Sequence, residues 1–409
     1  MKKKGIILAA TGVIVILVVA ILLLLPKEEK GAGKVKDSAE LAQIKSDFQK
    51  GIQGLKDGKY ANLIYKDFEA SIEDVEGVYR LEIKANTEYK DRTFLENVRV
   101  MKNIVEKFFN EDFDKSFISV DIKLPDEDDE IKVPYDEVEE KCSGTIYDSY
   151  EQLWFFGNEV RTGGYMVQMI HNLNGAWLSR GKLGDIGSFE HMNKKFCPYL
   201  SGKRQGDDIE VNLKDGKITL SEMEKRVNEY MKNHFPLEIA DGISYGIGRA
   251  MILDNGEYEG LSFTMTRIYK GIIFEYGNGH AGGGYRDELG HDAAILAYAE
   301  SEHVDTMMSF GFTNGTVTET EEIKEILPLE DALRLLSESI GENSVYDVHG
   351  VELVYRNVQI PEEEKLEIND RLDPKWKITT INQNDDKYTL FYVDVVTGEI
   401  TQRFEYYYE

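Results

Sequence analysis

The longest uninterrupted apolar stretch of the chain lies close to its beginning. Residues 6–25 carry no charged side chain, and lysines at positions 2–4 precede them. About 20 such residues, rising ~1.5 Å each in a helix, cover the ~30 Å hydrocarbon core of a bilayer. Because positively charged flanks remain in the cytoplasm, this pattern predicts a single-pass cell-membrane anchor at residues 1–26. The N-terminus would be cytoplasmic and the body extracytoplasmic.

A cleaved signal peptide is the main alternative, since it also begins with lysines and an apolar run. The apolar core of a signal peptide usually has roughly 7–15 residues and ends in small residues. Here the run is longer and ends in four leucines followed by Pro26. The sequence therefore favours an uncleaved transmembrane helix.

A second apolar pattern begins after a charged, glycine-containing linker, where Asp37 or Ser38 can cap a helix. Apolar residues then recur at three- and four-residue steps, which predicts an amphipathic helix within residues 27–59. Its apolar face comprises Leu41, Ile44, Phe48, Ile52 and Leu55. We expect this helix to dock on the domain that follows it rather than to pair with a partner helix.

Residues 60–214 mix helical and strand periodicities. Alternating apolar positions predict strands at 78–83 and 117–124, with a helix between them at 95–109. Three more strands are predicted, at 153–157, 164–171 and 176–179. This order of elements indicates an α+β domain of unknown type.

The remainder has the pattern of two divergent repeats, at residues 215–320 and 321–409. Each repeat opens with an amphipathic helix, whose apolar faces comprise Leu220, Met223, Val227, Tyr230 and Met231 in the first and Leu329, Ala332, Leu333, Leu336 and Ile340 in the second. Ser221 and Glu224 have the spacing of a capping box. We expect each repeat to fold as one helix on an antiparallel sheet.

Strand patterns follow each of these helices. They lie at 247–253, 261–269 and 306–312 in the first repeat and at 351–358, 376–381 and 388–396 in the second. Each repeat closes on a turn signal typical of a hairpin, Asn314-Gly315 in the first and Thr397-Gly398 in the second.

The second repeat resembles the PepSY family in two segments. The first is the helix LEDALRLL at residues 329–336, and the more specific one is the strand–turn–strand YVDVVTGEI at residues 392–400. In that family the motif is structural, so no active-site residue carries over. The turn chemistry agrees, because Asp394 and Thr397 can hydrogen-bond the turn while Gly398 adopts a positive φ.

Two PepSY-like units behind one anchor are also similar to exported regulators of the YycH/YycI type. The resemblance implies a non-catalytic binding or inhibitory module, which in that family restrains a membrane sensor kinase. It covers residues 215–409 and is strongest over the second repeat.

The charge of the chain narrows the choice of partner. It has 48 basic and 75 acidic residues, and because residues 1–34 hold six lysines and two glutamates, the body carries about −31. Such a surface repels nucleic acid and anionic lipid headgroups, and attracts basic surfaces over a screening length of ~8–10 Å. We therefore expect another membrane or envelope protein as partner and no nucleic acid.

The two cysteines, Cys142 and Cys197, leave two alternatives open. Outside the cytoplasm they can form one disulfide that closes a long loop, or they can remain thiols. Two cysteines do not make a zinc site.

Two glycine motifs spell catalytic or cofactor signatures, but their context does not fit. The segment around Ser244 spells G-x-S-x-G, yet an acidic loop precedes it and a strand pattern follows, so we expect a turn that enters a strand. Residues 277–282 spell G-x-G-x-x-G after a strand pattern at 272–276, but more glycines follow where a dinucleotide site needs a helix. A surface loop is the better interpretation.

Three further groups of polar residues also suggest ligand or modification sites. His280, Asp287, Glu288 and His291 lie close together in sequence, but their spacing matches no metal motif. The acidic run at 126–130 lacks the spaced ligands and glycine of a calcium loop. Asn314 matches a glycosylation sequon, which the turn explains without a glycan.

The sequence therefore assigns no catalytic, cofactor-binding or metal-ligating residue and predicts no cofactor. It predicts an α+β body behind a membrane-embedded helix, and a regulatory protein that binds another membrane or envelope protein. The contact is expected on the sheet surface or on edge strands near 388–396, and the oligomeric state stays open. The alternative is an exported hydrolase or metal-dependent enzyme that uses the loop at 277–291 or Ser244.

Overall fold

The computed structural model describes the greater part of the body of the chain. The described residues are 38–84, 92–108, 118–125, 130–157, 165–170, 175–180, 193–197, 199–200, 202–234, 243–254, 256–275, 292–302, 304–310, 316–341, 344–358, 368–384 and 388–405. Among them, no helix is both long and apolar enough to cross a bilayer. The anchor predicted at residues 1–26 lies outside these ranges and stays a prediction.

Strands outnumber helices, and the predicted α+β class is confirmed. The helices are α1 (Ala39–Lys56), α2 (Phe94–Phe108), α3 (Val138–Lys141), α4 (Leu220–His234) and α5 (Leu329–Ser339). The strands are β1 (Leu63–Tyr65), β2 (Tyr79–Lys84), β3 (Ile118–Lys123), β4 (Ile131–Pro134), β5 (Gln152–Gly157), β6 (Tyr165–Ile170), β7 (Gly175–Arg180), β8 (Asn193–Cys197), β9 (Tyr199–Leu200), β10 (Lys203–Arg204), β11 (Glu210–Leu213), β12 (Gly216–Thr219), β13 (Ile243–Asp254), β14 (Glu259–Tyr269), β15 (Ile272–Phe274), β16 (Asp292–Tyr298), β17 (Asp305–Phe310), β18 (Thr316–Glu322), β19 (Tyr346–Val358), β20 (Ile368–Asn382), β21 (Tyr388–Asp394) and β22 (Ile400–Glu405).

One arrangement, a helix followed by a four-strand antiparallel meander, occurs three times in the described part of the chain. In unit A, α2 precedes β3, β5, β6 and β7, each paired with the next. In unit B, α4 precedes β13, β14, β16 and β17. In unit C, α5 precedes β19, β20, β21 and β22. The sequence pattern indicated the second and third of these, and the first lies within the block that it left as an unknown type.

Units A and B share one sheet and one core. Strand β7 pairs with β17, which joins the two meanders edge to edge, while β4 and β8 extend the sheet at its two ends. The apolar faces of α2 and α4 both belong to the core that covers this sheet, through residues such as Met101 and Met223. The two meanders therefore form a continuous antiparallel surface.

Unit C is completed by the beginning of the chain. Strand β1 pairs in parallel with β19, and β2 lies between β18 and β20 in antiparallel register. Helix α1 buries the apolar face that the sequence predicted, but against α5 and the sheet of unit C. The expectation that it docks on the block next in sequence holds only in part, because the core that α1 enters contains residues 60–83 of that block beside α5 and the sheet of unit C. The cause is the pairing of β1 and β2 with unit C, which brings α1 to that sheet.

Helix α1 contacts α5 and the sheet at close range. The ring of Phe48 stacks on Trp376 with centroids 5.7 Å apart, and the Trp376 indole N–H donates to the carbonyl oxygen of Leu327 at 2.8 Å. Gly51 lies against Leu329, because a Cβ on Gly51 would be 2.6 Å from the Leu329 Cγ. Only glycine allows the two helices to approach this closely.

Strand β15 connects unit B to unit C. It forms a tight antiparallel pair with β14 at Ile268 and Tyr269, and then pairs in parallel with β19 at Val354 and Tyr355. The turn between β14 and β15 is bound to the segment between β1 and β2, because the Lys270 carbonyl oxygen accepts the Glu76 N–H at 3.0 Å.

The turn predicted at Asn314-Gly315 lies outside the described residues. Of the strands on either side of it, β17 pairs with β16 and β7, while β18 pairs with β2. The capping box predicted at Ser221 and Glu224 is wrong, because α4 begins at Leu220 and the Thr219 hydroxyl accepts the Glu222 N–H at 3.2 Å. Thr219 therefore caps the helix in place of Ser221.

The close contact at Gly51 predicts opposite outcomes for two glycines of α1. Each glycine-to-alanine change gains about 1 kcal/mol of helix propensity. A Cβ on Gly54 meets nothing closer than 3.3 Å, whereas at Gly51 it overlaps Leu329. Because overpacking costs about 1–3 kcal/mol, Gly51→Ala should be less stable than Gly54→Ala by about that amount in denaturant unfolding. Equal stabilisation by the two changes would contradict the packing.

Candidate interaction site

A short hairpin between units A and B is clamped to the start of α4. It consists of β9 and β10, paired at Leu200 and Lys203. The Arg204 guanidinium donates to Glu224 at 2.9 Å and to the Ser221 hydroxyl at 2.6 Å, and the Tyr199 hydroxyl also donates to Glu224. Burial and the Glu224 carboxylate raise the pKa of Tyr199, which keeps its hydroxyl protonated. Ser221 and Glu224, predicted as a capping pair, thus hold Arg204 instead.

The opposite side of the same hairpin contacts the segment that follows β1. The Gln205 side chain accepts the Glu69 N–H at 2.7 Å, and the Lys203 ammonium pairs with Asp74 at 3.0 Å. Leu200 is buried in the core that contains α1 and α5. The hairpin therefore links α4 of unit B to the segment that follows β1.

A groove of 360 Å³ lies where the hairpin, this segment and α1 meet. This volume falls within the ~300–1,000 Å³ typical of small ligand sites. Helix α1 supplies one wall, the segment after β1 a second, and the hairpin the third; the lining residues are Gln49, Ile52, Lys56, Phe68, Glu69, Ala70, Ser71, Leu200, Lys203 and Gln205.

The groove has an apolar floor under a polar rim. Ile52, Phe68 and Leu200 are buried, whereas Lys56 and Lys203 are exposed. Among the described lining residues, Glu69 is the one acidic side chain beside the two lysines. Acidic residues outnumber basic ones 75 to 48 in the whole chain, so the charge balance of this groove is the reverse of the average.

A second polar cluster lies on the face of the unit C sheet that points away from α5. The Lys377 ammonium is 2.8 Å from a Glu275 oxygen and 3.3 Å from a Glu352 oxygen. The Tyr392 hydroxyl donates to Glu275 at 3.1 Å, and the Arg356 guanidinium lies 3.8 Å from the centre of the Tyr392 ring. Glu275 directly follows β15, so the cluster joins that strand to unit C.

The electrostatics of this cluster favour a fixed ion pair over proton transfer. Burial alone would lower the pKa of Lys377, but the attraction of Glu275 and Glu352 outweighs it and raises the pKa well above its ordinary value. The ammonium therefore stays charged near neutral pH. A group that does not change protonation state is suited to holding β15 in place rather than to acid–base catalysis.

The structure places Ser244 on a strand. It lies near the start of β13, opposite Ile268 of β14, and the strand continues to Asp254. A nucleophile elbow needs a helix after the serine, so this geometry does not form one. The sequence predicted a turn entering a strand here, and the strand is confirmed.

Several other predicted groupings lie outside the described residues. They are the loop at 277–291 with His280, Asp287, Glu288 and His291, the acidic residues 126–129, and the sequon at Asn314. Within the part of the chain that the structure describes, no three histidine, cysteine or acidic side chains are grouped to hold a metal ion.

The cysteine alternatives are resolved in favour of two thiols. Cys142 and Cys197 are both buried and unbonded, in the core shared by units A and B. Burial raises the pKa of each thiol. Both side chains therefore act as small apolar groups of that core.

The turn that carries the family resemblance has the predicted chemistry. The Asp394 carboxylate accepts the Val396 and Thr397 N–H groups at 2.9 and 2.8 Å, and Gly398 has a φ of 73°. Burial opposes ionisation, but these two backbone donors and Lys375 lower the pKa of Asp394. The turn closes the hairpin of β21 and β22.

That hairpin changes the expected edge of the sheet. Strand β21 pairs with β20 on one side and β22 on the other, so residues 388–394 are interior. The prediction of an edge near 388–396 is wrong for this strand. Strand β22 follows it and, among the described residues, pairs with β21 alone, with Thr401 and Gln402 exposed.

Two lysines on β20 allow a matched test of the Glu275–Lys377 cluster. Lys377→Met removes the ammonium that pairs with two buried carboxylates, a type of loss that costs about 3–5 kcal/mol. Lys375→Met removes the partner of Asp394 at 3.1 Å, but Asp394 keeps two backbone donors, so the loss should be about 1 kcal/mol. Denaturant unfolding of both variants at pH 7 measures the difference. Equal losses would contradict the assigned role of Lys377.

The same cluster predicts a pH dependence. The folded pKa of Lys377 lies above the unfolded value of about 10.4, so its stabilisation is complete below that pH and is lost as the pH rises through the folded pKa. The difference in stability between wild type and Lys377→Met should therefore shrink as the pH rises through the folded pKa of Lys377, at the alkaline end of the stability profile.

Comparison with known proteins leaves the function to be argued from the site. No protein-family model matches the chain, and no curated protein matches it significantly. The PepSY-like character of the repeats therefore stays a prediction from the residues of the α5 helix and the Asp394 turn.

Proposed function

We propose that this chain is a membrane-tethered binding protein that acts outside the cytoplasm and regulates another membrane or envelope protein. Its helix–meander units are PepSY-like, and the exported domain of a sensor kinase is the partner class that the resemblance implies. The chain binds and restrains its partner and does not act as an enzyme on it.

The observation that carries this proposal is the position of α1. The helix that follows the apolar run is a core element of unit C, with Phe48 stacked on Trp376 and Gly51 against Leu329. Residues 26–38 connect the run to this helix, and 13 residues span at most about 45 Å when fully extended. A tether this short restricts the search of the body to the neighbourhood of the membrane, which raises its effective concentration toward membrane partners.

The residues between α1 and β1 make further contacts that hold α1 on unit C. The Asn62 side chain donates to the Ser337 carbonyl oxygen at 2.9 Å and accepts the Ser337 hydroxyl at 2.6 Å. Lys59 pairs with Glu330, and the Tyr60 hydroxyl donates to the Glu330 carbonyl oxygen at 3.2 Å. A partner that binds unit C would therefore be held on the body that the tether keeps in the neighbourhood of the membrane.

Because of these contacts, truncation of the chain cannot test partner binding by unit C. A chain ended at Glu319 loses Leu329 and Trp376, on which α1 packs, and so loses the core of unit C as well as its surface. Partner loss from such a truncation would report unfolding. Substitutions at exposed positions are needed instead.

Crosslinking in the native membrane tests the proposal. A photoreactive residue at Gln402, which is exposed on β22, should capture a membrane or envelope protein from the full-length chain. Removing residues 1–37 behind a cleavable export signal should lower the yield by about tenfold or more, because the effective-concentration gain of a tether is of order 10²–10⁴. Replacing residues 6–25 with an unrelated apolar helix should restore it.

Two outcomes would overturn the proposal. One is capture of the same partner at the same yield without the tether. The other is protection of the body from protease added to intact protoplasts, which would place it in the cytoplasm.

A further inference from the structure

The groove between α1, the segment after β1 and the β9–β10 hairpin has the features of a peptide-binding site. We infer that it binds a short extended peptide segment that carries a carboxylate, either an acidic side chain or a chain terminus. The inference rests on the proposed function only in taking the regulated partner as the source of that segment.

The lining matches both parts of such a ligand. The buried side chains of Ile52, Phe68 and Leu200 offer an apolar floor for one or two aliphatic or aromatic side chains. The Gln49 side chain stands exposed at the rim, where its amide can both donate to and accept from a peptide backbone.

One wall also presents main-chain groups. Phe68–Ser71 lies outside helices and strands, and the Glu69 N–H is satisfied by Gln205 at 2.7 Å. Within the described residues, the backbone groups of Ala70 and Ser71 make no hydrogen bond to protein. Free main-chain groups beside an apolar floor are what an extended peptide uses when it aligns with a receptor segment.

The charge of the rim selects the ligand. The Lys56 ammonium lies 5.3 Å from the centre of the Tyr65 ring, and the Lys203–Asp74 pair is more than half exposed on both sides. An exposed pair of this kind contributes little, so the Lys203 ammonium can exchange Asp74 for a ligand carboxylate at little cost. With Asp74 counted, the two ammonium groups face two acidic side chains, so a ligand carboxylate would take the place of Asp74 at Lys203 and add an anionic partner for Lys56.

The position of the groove gives binding a consequence. Its walls come from α1, which is packed in unit C, and from the hairpin that Arg204 clamps to α4 of unit B. A peptide in the groove would therefore contact elements fixed to both units. The ligand would stabilise the junction between them through contacts made only in the bound state.

Two glutamines of α1 provide a matched pair for the test. Gln49 lines the groove, while Gln53 is exposed four residues later and is not part of the lining. A photoreactive residue at each position, in the full-length chain in its native membrane, should give a peptide adduct from position 49 and at most a trace from position 53. Mass spectrometry of the adduct should place an aspartate, a glutamate or a chain terminus close to the crosslinked residue.

Charge variants test the role of the rim. Combining Lys56→Gln with Lys203→Gln should lower the yield from position 49 by about tenfold, because each exposed charge contact is worth about a factor of three. Lys50→Gln changes a lysine of α1 outside the lining and should leave the yield unchanged. Both charge variants should keep the unfolding transition of the parent chain.

Each contrary result overturns the inference. These results are equal adducts from both glutamine positions, adducts to lipid alone, crosslinked peptides without a nearby carboxylate, and a yield that ignores the two lysines. The outcome is separable from that of the proposed function. If capture at Gln402 depends on the tether but no adduct forms in the groove, only the peptide-binding inference is contradicted. If the groove adduct persists without residues 1–37, only the proposal of a tethered regulator is contradicted.

Discussion

The packing of α1 onto unit C is the constraint on which the rest of the structure depends. The Phe48 ring on Trp376 and the absence of a side chain at Gly51 allow the first helix to lie against both α5 and the sheet. Burying side chains of this size is worth about 1.5–3 kcal/mol each, and α1 buries five large apolar residues on one face. This contact joins the beginning of the chain to its last unit.

The completion of unit C by α1, β1 and β2, here called the closure, determines where the other units lie. With β2 held between β18 and β20, units A and B form one excursion of the chain that leaves after residue 84 and returns at residue 316. The excursion is tied back at β15 by the Glu275–Lys377 pair and at the β9–β10 hairpin by Arg204 and Gln205. The groove lies at the second of these ties, so the candidate site is a product of the closure.

Local patterns predicted the elements well because the burial of each element follows its own periodicity. The five apolar positions of α1 and the Asp394–Gly398 turn are of this kind, since their chemistry lies within a few residues. The hairpin predicted at Asn314-Gly315 lies outside the described residues, and the strand after it, β18, pairs with β2, whose residues are more than 200 positions away. Unit A was not seen as a repeat because β4 and three short helical segments, Tyr135–Glu137, α3 and Thr145–Ser149, separate its first strand from its second.

The groove and the Glu275–Lys377 cluster could not be predicted from the sequence. Lys56, Lys203 and Gln49 look like ordinary solvated residues until the fold brings three distant segments together. Lys377 gave one signal, a lysine between the buried Trp376 and Ile378 on a central strand. Without knowledge of which element faces the other side of the sheet, that alternation predicts only a solvent-facing position.

Native-state hydrogen exchange tests the closure most directly. If α1 is a core element of unit C, the amides of residues 44–55 and of residues 376–381 should open with the same free energy and respond alike to denaturant, as one cooperative unit. Protection of β20 that persists while α1 exchanges several kcal/mol more easily would show that the helix is a loosely attached appendage, and would contradict the account.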